Sequence, residues 1–99
     1  MVHARSRSGG HFAQFNLGVC YERGTGVATD AREAVKWYTR AAEAGHTIAQ
    51  NNVGWCYANG EGVVRDFAAA RTWWRRAAAA GDADAANGLA EINALYALS

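Results

Sequence analysis

His3, His11 and His46 carry the imidazoles of this chain, Cys20 and Cys56 its thiols, and two Gly-x-Gly turns its candidate phosphate cradles. The turns are Gly24-Thr25-Gly26 and Gly60-Glu61-Gly62. Phosphate loops follow a strand and carry further glycines or end in Gly-Lys-Ser/Thr, and neither feature is present. A metal centre needs a third ligand at helical or loop spacing beside the scattered histidines, and no such set exists. Nucleophilic catalysis needs a base beside the nucleophile. Ser6, Ser8 and Ser99 lie in the terminal stretches, and neither cysteine has a histidine at its place in the pattern. His46 stands at a helix start and reads as a surface turn residue. The residues predict no enzyme, no cofactor and no metal.

What must position side chains in this chain is a repeat. Ala13 to Ile48 and Ala49 to Asp84 align without a gap at a period of 36, and 17 of the 36 positions are identical. Asn16, Gly18, Cys20, Tyr21, Gly24 and Gly26 return as Asn52, Gly54, Cys56, Tyr57, Gly60 and Gly62. Trp37, Arg40, Ala41 and Gly45 return as Trp73, Arg76, Ala77 and Gly81. A third copy opens at Ala85 and keeps only its start. A period of this length means stacked supersecondary units, none of which can bury its apolar face alone.

Composition agrees. The chain has 99 residues, 51% of them apolar, with no proline and about a quarter alanine, which favours helix throughout. Phe12, Phe15, Val19 and Glu22 fall on one helical stripe, and strand alternation is absent. Glycines close each first helix, where positive φ suits them. Asp30 caps the second helix, with Glu33 three residues on completing a capping-box pattern; Asp66 keeps only half of it, because Ala69 replaces the glutamate. Five helices are predicted, at about 11–23, 30–44, 46–59, 66–80 and 82–97. Gly18, Gly54, Ala41 and Ala77 allow close approach, with Trp37, Trp73, Tyr21 and Tyr57 filling the wedges and Leu89, Ile92 and Leu95 facing inward. Residues 1–10 read as a flexible N-terminal arm. Residues 11–97 read as the repeat domain, with repeats at about 13–48 and 49–84 and a partial one at 85–97.

Ten basic and nine acidic residues leave a net charge of +1, which gives no electrostatic reason to expect nucleic acid or a membrane surface. No apolar run approaches the roughly 18 residues of a membrane span, and a signal-peptide core is absent, so a cytoplasmic location is expected if residue 1 is the native start. Cys20 and Cys56 would lie on parallel helices about 9–10 Å apart, beyond disulfide reach, and are expected to stay reduced.

Ala13, Leu17, Gly18, Tyr21, Gly24, Gly26, Val27, Asp30, Ala34, Trp37, Tyr38, Ala41, Ala42, Gly45 and Ala49 together resemble the Sel-one-like repeat (SLR), a longer-looped relative of the tetratricopeptide repeat. The resemblance covers residues 12 to about 95. Val53 departs from the pattern's leucine and Trp74 from its tyrosine. It implies an all-α, right-handed α-solenoid of two full repeats and a C-terminal half-repeat helix, acting as an adaptor or scaffold. The Ser-x-x-Lys signature of β-lactam-recognising enzymes is missing.

The resemblance also implies that the first helix of each repeat lines a concave face. Its groove positions fall on Phe12, Phe15, Asn16, Val19, Glu22 and Arg23 in the first helix. In the third helix they fall on Ile48, Asn51, Asn52, Trp55, Ala58 and Asn59, and in the fifth on Asp84, Asn87, Gly88, Glu91 and Leu95. Asn16 and Asn52 could hydrogen-bond the main chain of an extended peptide, and Trp55 offers an aromatic anchor. The expected partner is a protein or peptide. Self-association by end-to-end stacking of the exposed terminal helices, particularly the aromatic-rich N-terminal one, is the alternative.

Overall fold

The computed structural model describes the backbone of residues 2–98 and the side chains of residues 10–95. All but Gly10 of the expected N-terminal arm therefore lies outside the described side chains. Five helices run in order: α1 (Val2–Arg23), α2 (Ala31–Glu43), α3 (Thr47–Asn59), α4 (Phe67–Ala79) and α5 (Ala83–Leu98). α1 thus begins at Val2 rather than at His11. The helices pack in sequence, α1 on α2, α2 on α3, α3 on α4 and α4 on α5, with α3 also touching α5. The result is an α-solenoid of two hairpins and a closing helix, 49 × 32 × 16 Å in extent.

Local chemistry explains where each helix starts and stops. Asp30 caps α2 by accepting from the N–H groups of Arg32 and Glu33, and Asp66 caps α4 by accepting from Ala69. The expected capping box does not close. The Asp30 N–H donates to the Tyr21 carbonyl, and the Glu33 carboxylate pairs instead with Lys36 at 3.1 Å. The ends of α2 and α4 are twins. His46 N–H reaches the Ala41 carbonyl and Gly45 N–H the Ala42 carbonyl, as Asp82 reaches Ala77 and Gly81 reaches Ala78. Each is a Schellman closure, turning the chain sharply into the next helix.

Two apolar clusters follow from the small residues. Ala34, Tyr38, Ala41, Ala42, Ala49 and Val53 form the first, across α2 and α3. Ala70, Trp74, Ala77, Ala85 and Ile92 form the second, across α4 and α5, and Tyr57 packs against both. The rings that fill the glycine hollows are not the repeated tryptophans. Tyr38 lies against Gly18, and Trp74 lies against Gly54 and Gly88. Trp37 and Trp73 are half-buried, each beneath a guanidinium, Arg40 at 4.7 Å and Arg76 at 4.5 Å. Those two repeated arginines therefore cover indoles. Leu95, expected inside, is 53% exposed, whereas Ile92 is buried as expected.

The turns join the repeats as well as the helices. Gly62 packs so tightly on the start of α2 that a Cβ would collide with the Ala31 carbonyl oxygen, and its φ of 74° already suits glycine. Its counterpart Gly26 would meet nothing within 4 Å.

Candidate functional site

Because the rings of Tyr38 and Trp74 sink into glycine hollows, α1, α3 and α5 leave two clefts on the side they share. The first, about 540 Å³, runs between α1 and α3. Phe15, Val19 and Arg23 line it from α1 and Asn51, Asn52 and Trp55 from α3, over Ala34, Val35, Tyr38 and Cys56. The second, about 520 Å³, runs between α3 and α5. Asn51, Trp55 and Asn59 line it from one side and Asn87, Glu91 and Leu95 from the other, with Phe67 and Trp74 beneath. Asn51 and Trp55 belong to both clefts.

Trp55 stands out, 51% exposed on the ridge of α3. That ridge is held from behind, since the Trp74 indole N–H donates to the Asn51 carbonyl at 3.1 Å. A rigid support under an exposed indole is what an anchoring side chain needs. Asn59 is partly committed, its amide donating to the Trp55 carbonyl at 2.9 Å.

The first cleft has an exposed carboxylate, Glu22, in its lining. The Tyr38 hydroxyl donates to Glu22 Oε1. Burial first, then that hydrogen bond and the Glu22 charge, push the Tyr38 phenol above its usual range. The Cys56 thiol is pushed up to about 12, chiefly by burial and secondarily by the Glu22 and Glu61 charges. Both groups stay protonated at neutral pH, so neither supplies a nucleophile or a base there.

Nine of the eleven residues expected to contact a partner line these clefts: Phe15, Val19, Arg23, Asn51, Asn52, Trp55, Asn59, Asn87 and Glu91. Phe12, Asn16 and, among the further groove positions, Ile48 do not. Asn16 is exposed elsewhere on α1, so the repeated asparagine pair is divided, with Asn52 alone at a cleft. Phe12 turns to a ring cluster at the α1–α3 junction, with its centroid 5.2 Å from that of His46 and 4.5 Å from that of His11. His46 is not a surface turn residue. It is 7% exposed, stacks on Phe15 at 4.6 Å, and caps α3 by accepting the Ala49 N–H at its Nδ1. Burial, with the His11 charge second, holds its pKa below the usual histidine value. The lining residues that sequence reasoning missed are those of the intervening helices, above all Tyr38 and Trp74. A signal for them exists: each occupies the same repeat position, facing a glycine of the helix before it.

Among the described residues, no three His, Cys, Asp or Glu side chains are grouped to hold a metal ion. No helix there is long and apolar enough to cross a membrane.

Comparison with known proteins returns the repeat. The Sel1 repeat family model matches residues 11–46 and 47–82. No curated protein matches. Among solved structures, a Sel1 repeat protein from Oxalobacter formigenes is 40% identical with a TM-score of 0.79, covering 82% of this chain and 61% of its own. The protective antigen c5321 of uropathogenic Escherichia coli, displaying an SLR fold, is 44% identical with a TM-score of 0.78, covering 80% of this chain and 17% of its own. Cysteine rich protein B of Helicobacter pylori is 27% identical with a TM-score of 0.75, covering 78% and 58%. This chain therefore spans less than two thirds of each of these relatives.

Proposed function

The chain belongs to the Sel1-repeat family, and from that premise we propose that it is a non-enzymatic scaffold holding a peptide or a partner's surface on its concave face. Sel1-repeat proteins are generally protein-interaction scaffolds. The observation that carries the finer reading is Trp55, half-exposed between two clefts and flanked by the amides of Asn51 and Asn52. An indole supplies apolar area and the amides supply both donors and acceptors, the combination that an extended peptide requires. Two clefts of this size bury less than a standard interface, so micromolar affinity is expected. The test is affinity capture from the native extract with the wild-type chain and with Trp55→Ala/Asn52→Ala, read by mass spectrometry. The double variant should lose the captured partner while its far-UV circular dichroism is unchanged. Undiminished capture would remove the concave face from consideration.

A second reading is end-to-end association of copies. It is supported by the open surroundings of Gly26, where its counterpart Gly62 packs on Ala31, and by Phe12, which is 55% exposed. Light scattering should then show mass rising with concentration, suppressed by Phe12→Glu. A constant monomer mass rejects it.

A further inference from the structure

The charges of this chain are not spread evenly. Its nine acidic and ten basic residues nearly cancel overall, yet the clefts are lined by Glu22, Glu61, Asp84 and Glu91 against Arg23 alone. The imbalance is sharpest between α3 and α5, where Asp84 and Glu91 are lining residues and no lysine or arginine is. Neither carboxylate forms a salt bridge among the described residues. Asp84 lies in the first turn of α5 and gains from the helix dipole there. Glu91 is mid-helix, exposed, and has no such reason to be acidic. Seven residues apart, the two share one face of α5, about 10 Å from each other along its axis. Across the cleft stands the exposed indole of Trp55, and Leu95 adds an apolar edge that is 53% exposed.

Resting on the reading of the concave face as a binding surface, we propose that the α3–α5 cleft takes a basic segment of a partner protein anchored by an apolar side chain. The apolar residue, leucine, methionine or an aromatic, lies against Trp55 and Leu95. Asp84 and Glu91 precede Leu95 along α5, so lysine or arginine on one side of the segment's apolar residue faces them, the nearer cation at Glu91 and the farther at Asp84. In an extended segment rising about 3.3 Å per residue, two such cations would be about three residues apart. Carboxylates at a solvated rim select the partner and speed encounter more than they tighten binding, so the apolar contact holds the segment and the charges choose it.

The test is selection of a random-peptide phage library on the whole chain, repeated on Trp55→Ala and on Asp84→Asn/Glu91→Gln, with circular dichroism to show that both variants fold. Recovered sequences should place lysine or arginine near a leucine, methionine or aromatic residue, and Trp55→Ala should recover none of them. A recovered peptide, synthesised and labelled, should bind Asp84→Asn/Glu91→Gln about three- to tenfold more weakly, with a flatter salt dependence. Trp55-dependent peptides that are neutral or acidic, or unchanged affinity for the charge-neutralised variant, overturn the assignment of a basic segment and leave the groove reading standing. Recovery that ignores Trp55→Ala, or recovery of no peptide, overturns both.

Discussion

Trp74 occupies the space that a side chain at position 88 would need: a Cβ on Gly88 would come within 2.9 Å of the indole carbons. Thirty-six residues before Gly88 stands Asn52, and 36 before that stands Asn16. Where the intervening second helix carries tyrosine, at Tyr38, the first helix that follows carries asparagine. Where it carries the wider tryptophan, at Trp74, the next helix carries glycine. The two departures compensate one another.

Gly88→Ala should therefore destabilise the chain by about 1–3 kcal/mol, the usual cost of overpacking, read as a shift in the urea midpoint at unchanged slope. Trp74→Tyr should relieve much of that cost, so that the double variant is more stable than the sum of the single changes allows. Strict additivity would show that the two residues do not share a volume.

Acid should act first at the α1–α3 junction. His46 caps α3 as a neutral imidazole, and its folded pKa lies below the ordinary histidine value. The unfolded chain then takes up a proton more readily than the folded one, so this contribution is whole above the unfolded value of about 6.5 and is lost as pH falls towards the folded one. From α1 the titratable group facing the ring is His11. His46→Asp, which copies the Asp82 cap of the next repeat, should abolish the loss of stability that sets in as pH falls below about 6.5. An unchanged acid response in that variant would assign it to other groups.

The thiols should differ in reactivity although they hold the same repeat position. Cys56 is buried beside two carboxylates and Cys20 is half-buried. Since the thiolate is what alkylates, iodoacetamide at neutral pH should label Cys20 well before Cys56, with peptide mapping as the readout. In urea the two rates should converge.

The same contrast between repeats applies to Gln50, whose amide is buried and donates to the Ala42 carbonyl at 3.1 Å. Its counterpart Gln14 is only half-buried. Gln50→Ala should cost about 1–3 kcal/mol in denaturation experiments, and Gln14→Ala much less. Equal costs would mean that the Ala42 hydrogen bond contributes nothing.

Much of this was legible in the residues, because repetition marks what stacking requires. The period placed the hairpins; the glycines and Asp30 and Asp66 marked helix ends; the resemblance to the repeat family put Phe15, Val19, Asn52 and Trp55 on one groove face, and all four line one cleft. What escaped depends on contacts between distant segments. His46 is buried by Phe15, 31 residues away, so its immediate neighbours Gly45 and Thr47 gave no warning. The identity of Trp37 and Trp73 drew attention to them, and Trp73 does pack against the first cluster, but the rings in the glycine hollows are Tyr38 and Trp74, one residue and about 100° further round the helix. Glu33 matched a capping box, yet the Asp30 N–H it would have met was already donated to Tyr21 across the turn.

α3 gives a wall to each cleft, and Asn51 and Trp55 are common to both. A ligand that draws the indole over one cleft withdraws it from the other. Two occupants would then be thermodynamically coupled, each weakening the other by the same factor whichever arrives first. Titrating one ligand with and without saturation by the second measures that reciprocity directly, and equal affinities would show that each cleft acts alone. One tryptophan would in this way link the occupancy of both clefts.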